Sequence, residues 1–252
     1  MRVAAIDCGT NSIRLLVADV GDGRLIDLDR RMTIVRLGEG IDRTGEFSPA
    51  ALERTWAACD EFARVIDALG VERVRFVATS ASRDAGNRDV FVEGVKARLG
   101  VAPEVIAGDE EARLSFTGAV RGLPGDTAPR PVVVVDIGGG STEFVLGDDA
   151  PVAAISVDIG CVRMTERHLH GDPPTEEQVR ATQADISDAV RTAAQHVPID
   201  RAASLVGVAG TVTTVAALAR GLESYDPERI HGSYVTAGEV NDVTASLLAM
   251  DR

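Results

Sequence analysis

Asp136-Ile137-Gly138-Gly139-Gly140-Ser141-Thr142-Glu143 is the stretch on which the fold turns. An apolar run, Pro131 to Val135, enters it and ends at Asp136. A second run, Thr142 to Leu146, leaves it, and Gly147-Asp148-Asp149 turns the chain into a third, Val152 to Val157. Two apolar runs flanking a short Gly-rich loop read as a β-hairpin. The same grammar occurs at the N-terminus. Arg2 to Ile6 leads into Asp7, Cys8-Gly9-Thr10-Asn11-Ser12 forms the loop, Ile13 to Val20 follows, and Gly21-Asp22-Gly23 turns into Arg24 to Asp29. Setting Asp7 on Asp136 matches Gly9 with Gly138 and Ser12 with Ser141, and a repeat at this spacing means two similar lobes.

Each hairpin set is followed by helical patterning. Ser48-Pro49 starts a helix as N-cap and first-turn proline, Leu52, Trp56, Cys59, Ala63 and Ile66 form its stripe, and Gly70 stops it. A strand is expected over Val74 to Thr79, a helix over Arg88 to Leu99 closed by Gly100, a short strand over Glu104 to Ile106, and a helix capped by Asp109 and running to about Arg121. Gly122 to Arg130, with Pro124, Gly125 and Pro129, reads as the linker, giving lobes at 1–124 and 125–252. In the second lobe Thr175 and Gln178 have capping-box spacing before a long helix. Leu205 to Val208 is a strand and Thr211 to Arg220 a helix, and Thr236 and Glu239 repeat the capping-box spacing before an amphipathic helix. By internal comparison one further strand and helix are owed after Arg252, so the second lobe reads as truncated and the sequence as a fragment.

The hydrophobic fraction of 45% supports a sizeable core, and no apolar run approaches the roughly 18 residues that would suggest a membrane-spanning helix. The N-terminal apolar run is too short for a secretory signal. Three cysteines, Cys8, Cys59 and Cys161, lack metal-ligand spacing and read as reduced thiols of a cytoplasmic protein. A net charge of −13 argues against nucleic-acid and membrane partners. It would also repel a phosphate chain, so any such ligand must be held by local N–H groups, arginines and a metal ion.

Tight Gly-containing loops present backbone N–H groups to phosphate. Gly9, Thr10, Asn11 and Ser12 form one such loop and Gly138, Gly139, Gly140 and Ser141 the other, with hydroxyls as added donors. The alternative is a pair of ordinary Gly-rich turns. Asp7 and Asp136 end their strands facing a cleft between the lobes, and Glu143 follows. Hard carboxylate oxygens of this kind suit Mg²⁺ (or Mn²⁺), and turn capping is the plainer reading. Arg83 is expected on a loop after a strand, where a guanidinium can hold phosphate or merely pair with Asp84. Gly210 and Thr211 join a strand to a helix N-terminus, another place for an anion. Arg163 is a weaker candidate, Cys8 reads as a packing residue, and the four histidines form no catalytic constellation. From spacing alone, Asp109, Glu110 and Glu111 complement a helix dipole.

The blocks Ile6 to Leu16, Ala78 to Asn87, Gly108 to Leu114, Asp136 to Glu143, Asp158 to Glu166 and Gly207 to Thr211, in that order, resemble the exopolyphosphatase and guanosine pentaphosphate phosphohydrolase (Ppx/GppA) family of the actin/hexokinase/Hsp70 superfamily, in its short actinobacterial form. The resemblance implies two actin-like (ribonuclease H-like) α/β lobes with a cleft between them. It also implies Glu111 as catalytic base, Asp7, Asp136 and Glu143 around Mg²⁺, and phosphates held by Arg83 and the loop glycines. It implies inorganic polyphosphate as substrate, with the pentaphosphate alarmone pppGpp as the alternative. Two more remote readings are a kinase of the same superfamily and a nucleotide-binding filament protein. A kinase needs an acceptor pocket, and the sequence, 4% aromatic, has no aromatic-rich segment to build one. Homodimer formation is left open.

Overall fold

The computed structural model describes residues 1–123 and 128–250. It divides into two compact units, Met1–Ala107 and Gly108–Arg252. The expected boundary at 124/125, with Pro124 and Gly125 of the linker, lies outside the described residues.

The first unit begins with β1 (Arg2–Cys8), β2 (Ser12–Gly21) and β3 (Arg24–Ile34), then α1 (Ile41–Thr44), α2 (Pro49–Ala68), β4 (Arg73–Ala78), α3 (Ser80–Asp84), α4 (Arg88–Leu99) and β5 (Glu104–Val105). Its five-stranded sheet has the order β3-β2-β1-β4-β5, with β1 antiparallel to β2 and parallel to β4. Alternation sorts the side chains. Ala4, Ile6 and Cys8 of β1 and Ile13, Leu15 and Val17 of β2 fall on one face, where they pack with Cys59 and Phe62 of α2 and Phe91 and Val95 of α4. Each Ile, Leu, Val or Phe among them contributes about 1.5–3 kcal/mol on burial. Ser48 caps α2 as expected, accepting from the Ala51 amide, and Gly100 closes α4 in the left-handed conformation. Strand β3 runs five residues past the expected end at Asp29, because the ladder with β2 continues to the pair Ser12 and Ile34.

The second unit begins with α5 (Gly108–Gly122), followed by β6 (Val132–Ile137), β7 (Thr142–Gly147), β8 (Pro151–Val157), α6 (Cys161–His168), α7 (Glu176–His196), a 3₁₀ turn at Ile199–Arg201, β9 (Ser204–Val208), α8 (Ala209–Ala219), α9 (Pro227–Ile230) and α10 (Ala237–Leu248). The sheet order is β8-β7-β6-β9, again with one antiparallel and one parallel neighbour for the first strand. The sheets are the two mixed sheets that the repeat predicts, each with its first strand between an antiparallel hairpin partner and a parallel partner. Both capping boxes are present, at Thr175 with Gln178 and at Thr236 with Glu239.

Helix α5, placed in the first lobe by the sequence, belongs instead to the second unit. Its Ala112 and Phe116 are fully buried against Val132 and Val134 of β6 and Val145 of β7. The other face of this sheet, with Val133 and Phe144, is covered by Met164 of α6, Ala193 of α7 and Val197, the residue that follows α7. Among the described residues no helix is long and apolar enough to cross a membrane.

Candidate functional site

The two hairpin loops have the same geometry. The Gly9 amide donates to the Ser12 carbonyl at 3.0 Å, and the Gly138 amide donates to the Ser141 carbonyl at 3.0 Å. The cross-strand pairs beside them differ in charge. In the first unit Asp7 stands opposite Arg14, and the two form an ion pair at 3.3 Å. In the second, Asp136 stands opposite Glu143, so two carboxylates occupy the corresponding positions.

Period-two alternation puts Asp136 on the face of β6 that carries Val132 and Val134, and Glu143 on the face of β7 that carries Val145. That is the face α5 covers. The carboxylates therefore sit beside the first turns of α5, which hold Glu111. Glu143 is 1% exposed. Burial and, next, the charge of Glu111 push its carboxyl up to about 8, against hydrogen bonds from Ser156 and Ser141 that pull it down, while Asp136 pushes further up. The Ser156 hydroxyl donates to Glu143 Oε1 at 2.7 Å, and Ser115 donates to Asp136 Oδ2 at 2.5 Å. Of the acidic residues opening α5, Asp109 and Glu110 are exposed whereas Glu111 is half-buried. A residue serving only the helix dipole has no need to approach a buried carboxylate at electrostatic cost.

The parallel pairing of β6 with β9 sets Asp136 level with Val208. The chain then turns through Ala209, held at a positive φ of 72°, into Gly210 and Thr211 at the start of α8. No side chain caps this helix, so its first amides are open to an anion. The Thr211 hydroxyl is buried without a hydrogen-bond partner in the fold. Glu111, Asp136, Glu143, Gly138 to Ser141, Gly210 and Thr211 thus gather at one end of the second sheet.

In the first unit, Gly9 to Ser12 and Asp7 lie at the corresponding end of the first sheet. Arg83 is not on a loop as expected but within the five-residue helix α3, with Nη1 donating to the Ile106 carbonyl at 3.0 Å. Thr10 and Ser141 are buried, and the Ser141 hydroxyl is engaged with Glu143, so these two residues offer a ligand chiefly their backbone. Cys8 is buried and its thiol is pushed well up by that burial, consistent with packing.

Sequence reasoning missed Ser115 and Ser156. Ser115 lies one helical turn after Glu111, so an i, i+4 reading of α5 would have found it. Ser156 is the β8 partner of Glu143 and becomes legible only with the strand register.

The sequence matches the Ppx/GppA phosphatase family over residues 16–252. The chain belongs to this family. It is 50% identical to Exopolyphosphatase 2 of Mycobacterium tuberculosis, in an alignment covering all of this chain and 81% of that protein. The crystal structure of an exopolyphosphatase-like protein, 44% identical, superposes with a TM-score of 0.97 over 99% of this chain and 78% of its own. The guanosine-5'-triphosphate,3'-diphosphate pyrophosphatase of Photobacterium profundum is 34% identical over 87% of this chain and 44% of its own length.

Proposed function

We propose that this Ppx/GppA family member is a phosphoanhydride hydrolase that releases terminal orthophosphate from inorganic polyphosphate. The observation carrying this reading is the gathering of Glu111, Asp136 and Glu143 beside the loop Gly138–Ser141 and the start of α8. Carboxylates that could activate water and bind a cation thereby adjoin backbone amides that could hold an anion. The 50% identity to an exopolyphosphatase favours polyphosphate. The relative named for the alarmone phosphatase keeps pppGpp as the second reading, since the chemistry is the same.

In this mechanism the amides of the loop and of α8 bind the terminal phosphoryl group. Glu111 orients a water molecule and accepts its proton. The water oxygen bonds to phosphorus as the bridging P–O bond breaks, giving orthophosphate and a chain shorter by one unit. The residues fit a divalent cation. Glu143 is a buried carboxylate surrounded by acidic neighbours, an arrangement that positive charge relieves. Asp136 and Glu143, opposite one another across β6 and β7, would hold the ion. Such an ion, Mg²⁺ or Mn²⁺, supplies charge stabilisation at the phosphoryl oxygens. Asp7, the third carboxylate expected at the metal, forms an ion pair with Arg14 in the first unit.

Phosphate release should be measured on long polyphosphate, tripolyphosphate and pppGpp with no acceptor present. Fastest release from polyphosphate is expected. Preference for pppGpp would favour the second reading, and release only with an added acceptor alcohol or acid would indicate a kinase.

A further inference from the structure

The residues immediately after each third strand act on the hairpin loops from behind. In the second unit the segment Gly160–Arg163 opens α6. Its amides are spent on loop carbonyls: Cys161 donates to Gly138 at 3.0 Å, and Val162 and Arg163 donate to Gly139 at 2.9 and 3.1 Å. The Arg163 side chain completes the set, with Nε donating to the Gly140 carbonyl at 2.7 Å. All three glycine carbonyls are therefore drawn to one side. A trans peptide sets each C=O opposite the next residue's N–H, so the amides of Gly139, Gly140 and Ser141 face the other way. Gly160 is what permits the approach. A Cβ there would lie 2.2–2.4 Å from the Gly139 carbonyl carbon, its oxygen and the Gly140 nitrogen, all backbone atoms that cannot swing aside.

The first unit repeats the device with different residues. The Val35 and Arg36 amides donate to the Asn11 carbonyl, and the Gly38 amide donates to the Thr10 carbonyl, at 2.9–3.0 Å. Here too a glycine makes the contact, since a Cβ on Gly38 would meet the Thr10 methyl at 2.3 Å. Two segments unlike in sequence, each with a glycine pressed on the second loop residue, perform one mechanical task.

We propose that Gly160 and Arg163 are positioning residues that fix the carbonyls of Gly138–Gly140 and so aim the loop amides at a phosphate, with Gly38 playing the same part on the loop Gly9–Ser12. The inference rests on the reading of Gly138–Ser141 as a phosphate-binding loop. Its test uses the full chain and tripolyphosphate, with binding followed by calorimetry and turnover by phosphate release. Gly160→Ala should weaken tripolyphosphate binding roughly ten-fold or more and raise KM more than it lowers kcat. Arg163→Met removes the donor to Gly140 and should act in the same direction. Arg163→Gln places an amide nitrogen where Nε stood, so it should restore most of the affinity although the charge is gone. Equal losses in the Met and Gln variants would overturn the positioning role in favour of direct charge contact. Unchanged binding by folded Gly160→Ala and Arg163→Met would overturn the clamp, and if Gly160→Ala fails to fold the Arg163 pair decides. If the unaltered protein neither binds tripolyphosphate nor releases phosphate, the reading of the site falls, and the role assigned to the clamp falls with it.

Discussion

Replacing Glu143 by Gln removes an ionisable group while keeping the shape and the oxygen that accepts from Ser156. In the metal-free protein the Glu143 carboxyl is pushed from 4.5 up to about 8 by burial and the neighbouring Glu111 charge. In the unfolded chain it returns to its ordinary value. Stability from this group is therefore fully present below pH 4.5 and lost as pH rises through 8, because the unfolded chain ionises first. The rise corresponds to about 5 kcal/mol in all, of which about 4 kcal/mol falls between pH 5 and 8, at ~1.4 kcal/mol per pH unit. Urea unfolding in excess chelator, followed by far-UV circular dichroism at each pH, measures it. The stability of Glu143→Gln relative to the unaltered protein should climb steadily across that range. A difference that stays flat within about 0.5 kcal/mol, or that falls as pH rises, would refute the account of Glu143 as a buried acid held against its ordinary ionisation.

Two further outcomes follow from the same geometry. Adding Mg²⁺ to chelator-stripped protein at pH 7 should release about one proton, read by calorimetry in buffers of different ionisation enthalpy, and should restore activity; full turnover in excess chelator contradicts the metal role. Gly139→Val should abolish measurable binding of tripolyphosphate in a protein that remains folded, since a branched side chain would stand where the backbone meets the anion; unchanged affinity would make the loop only a turn.

The two-sheet architecture was legible because an Asp-ended strand and a Gly/Ser loop occur twice at one offset, and the strands and capping boxes fell into place around them. What stayed hidden depended on which surfaces meet. The stripe of α5, with Ala112 and Phe116, marks it as a buried helix but says nothing of which sheet it covers, so its assignment to the first lobe failed. The same gap concealed the site's electrostatics. Without α5 on the second sheet, Glu111 is only a first-turn acid, and Glu143 has no reason to be more than a strand residue. Arg83 was expected on a loop because Ser80 to Asp84 is too short and too Ser-rich to signal a helix. The contrast between Asp7 with Arg14 and Asp136 with Glu143 was present in the letters, yet it acquires meaning only when the strand registers place each pair face to face. The backing role of Gly160 depends on a close approach between backbone segments that are distant in sequence, and no local pattern encodes that.

Glu111 is proposed to activate water for attack on phosphorus. Turnover of polyphosphate by Glu111→Gln and Glu110→Gln, alongside the melting temperature of each, separates a base from a helix-dipole partner. Glu110 is exposed one position away on the same helical turn and controls for general loss of charge. Glu111→Gln should lower kcat roughly 10²–10⁴-fold with substrate binding and melting temperature little changed, while Glu110→Gln stays close to the unaltered protein. Turnover left nearly intact in Glu111→Gln, or equal losses in both variants, would contradict the assignment of Glu111 as the base.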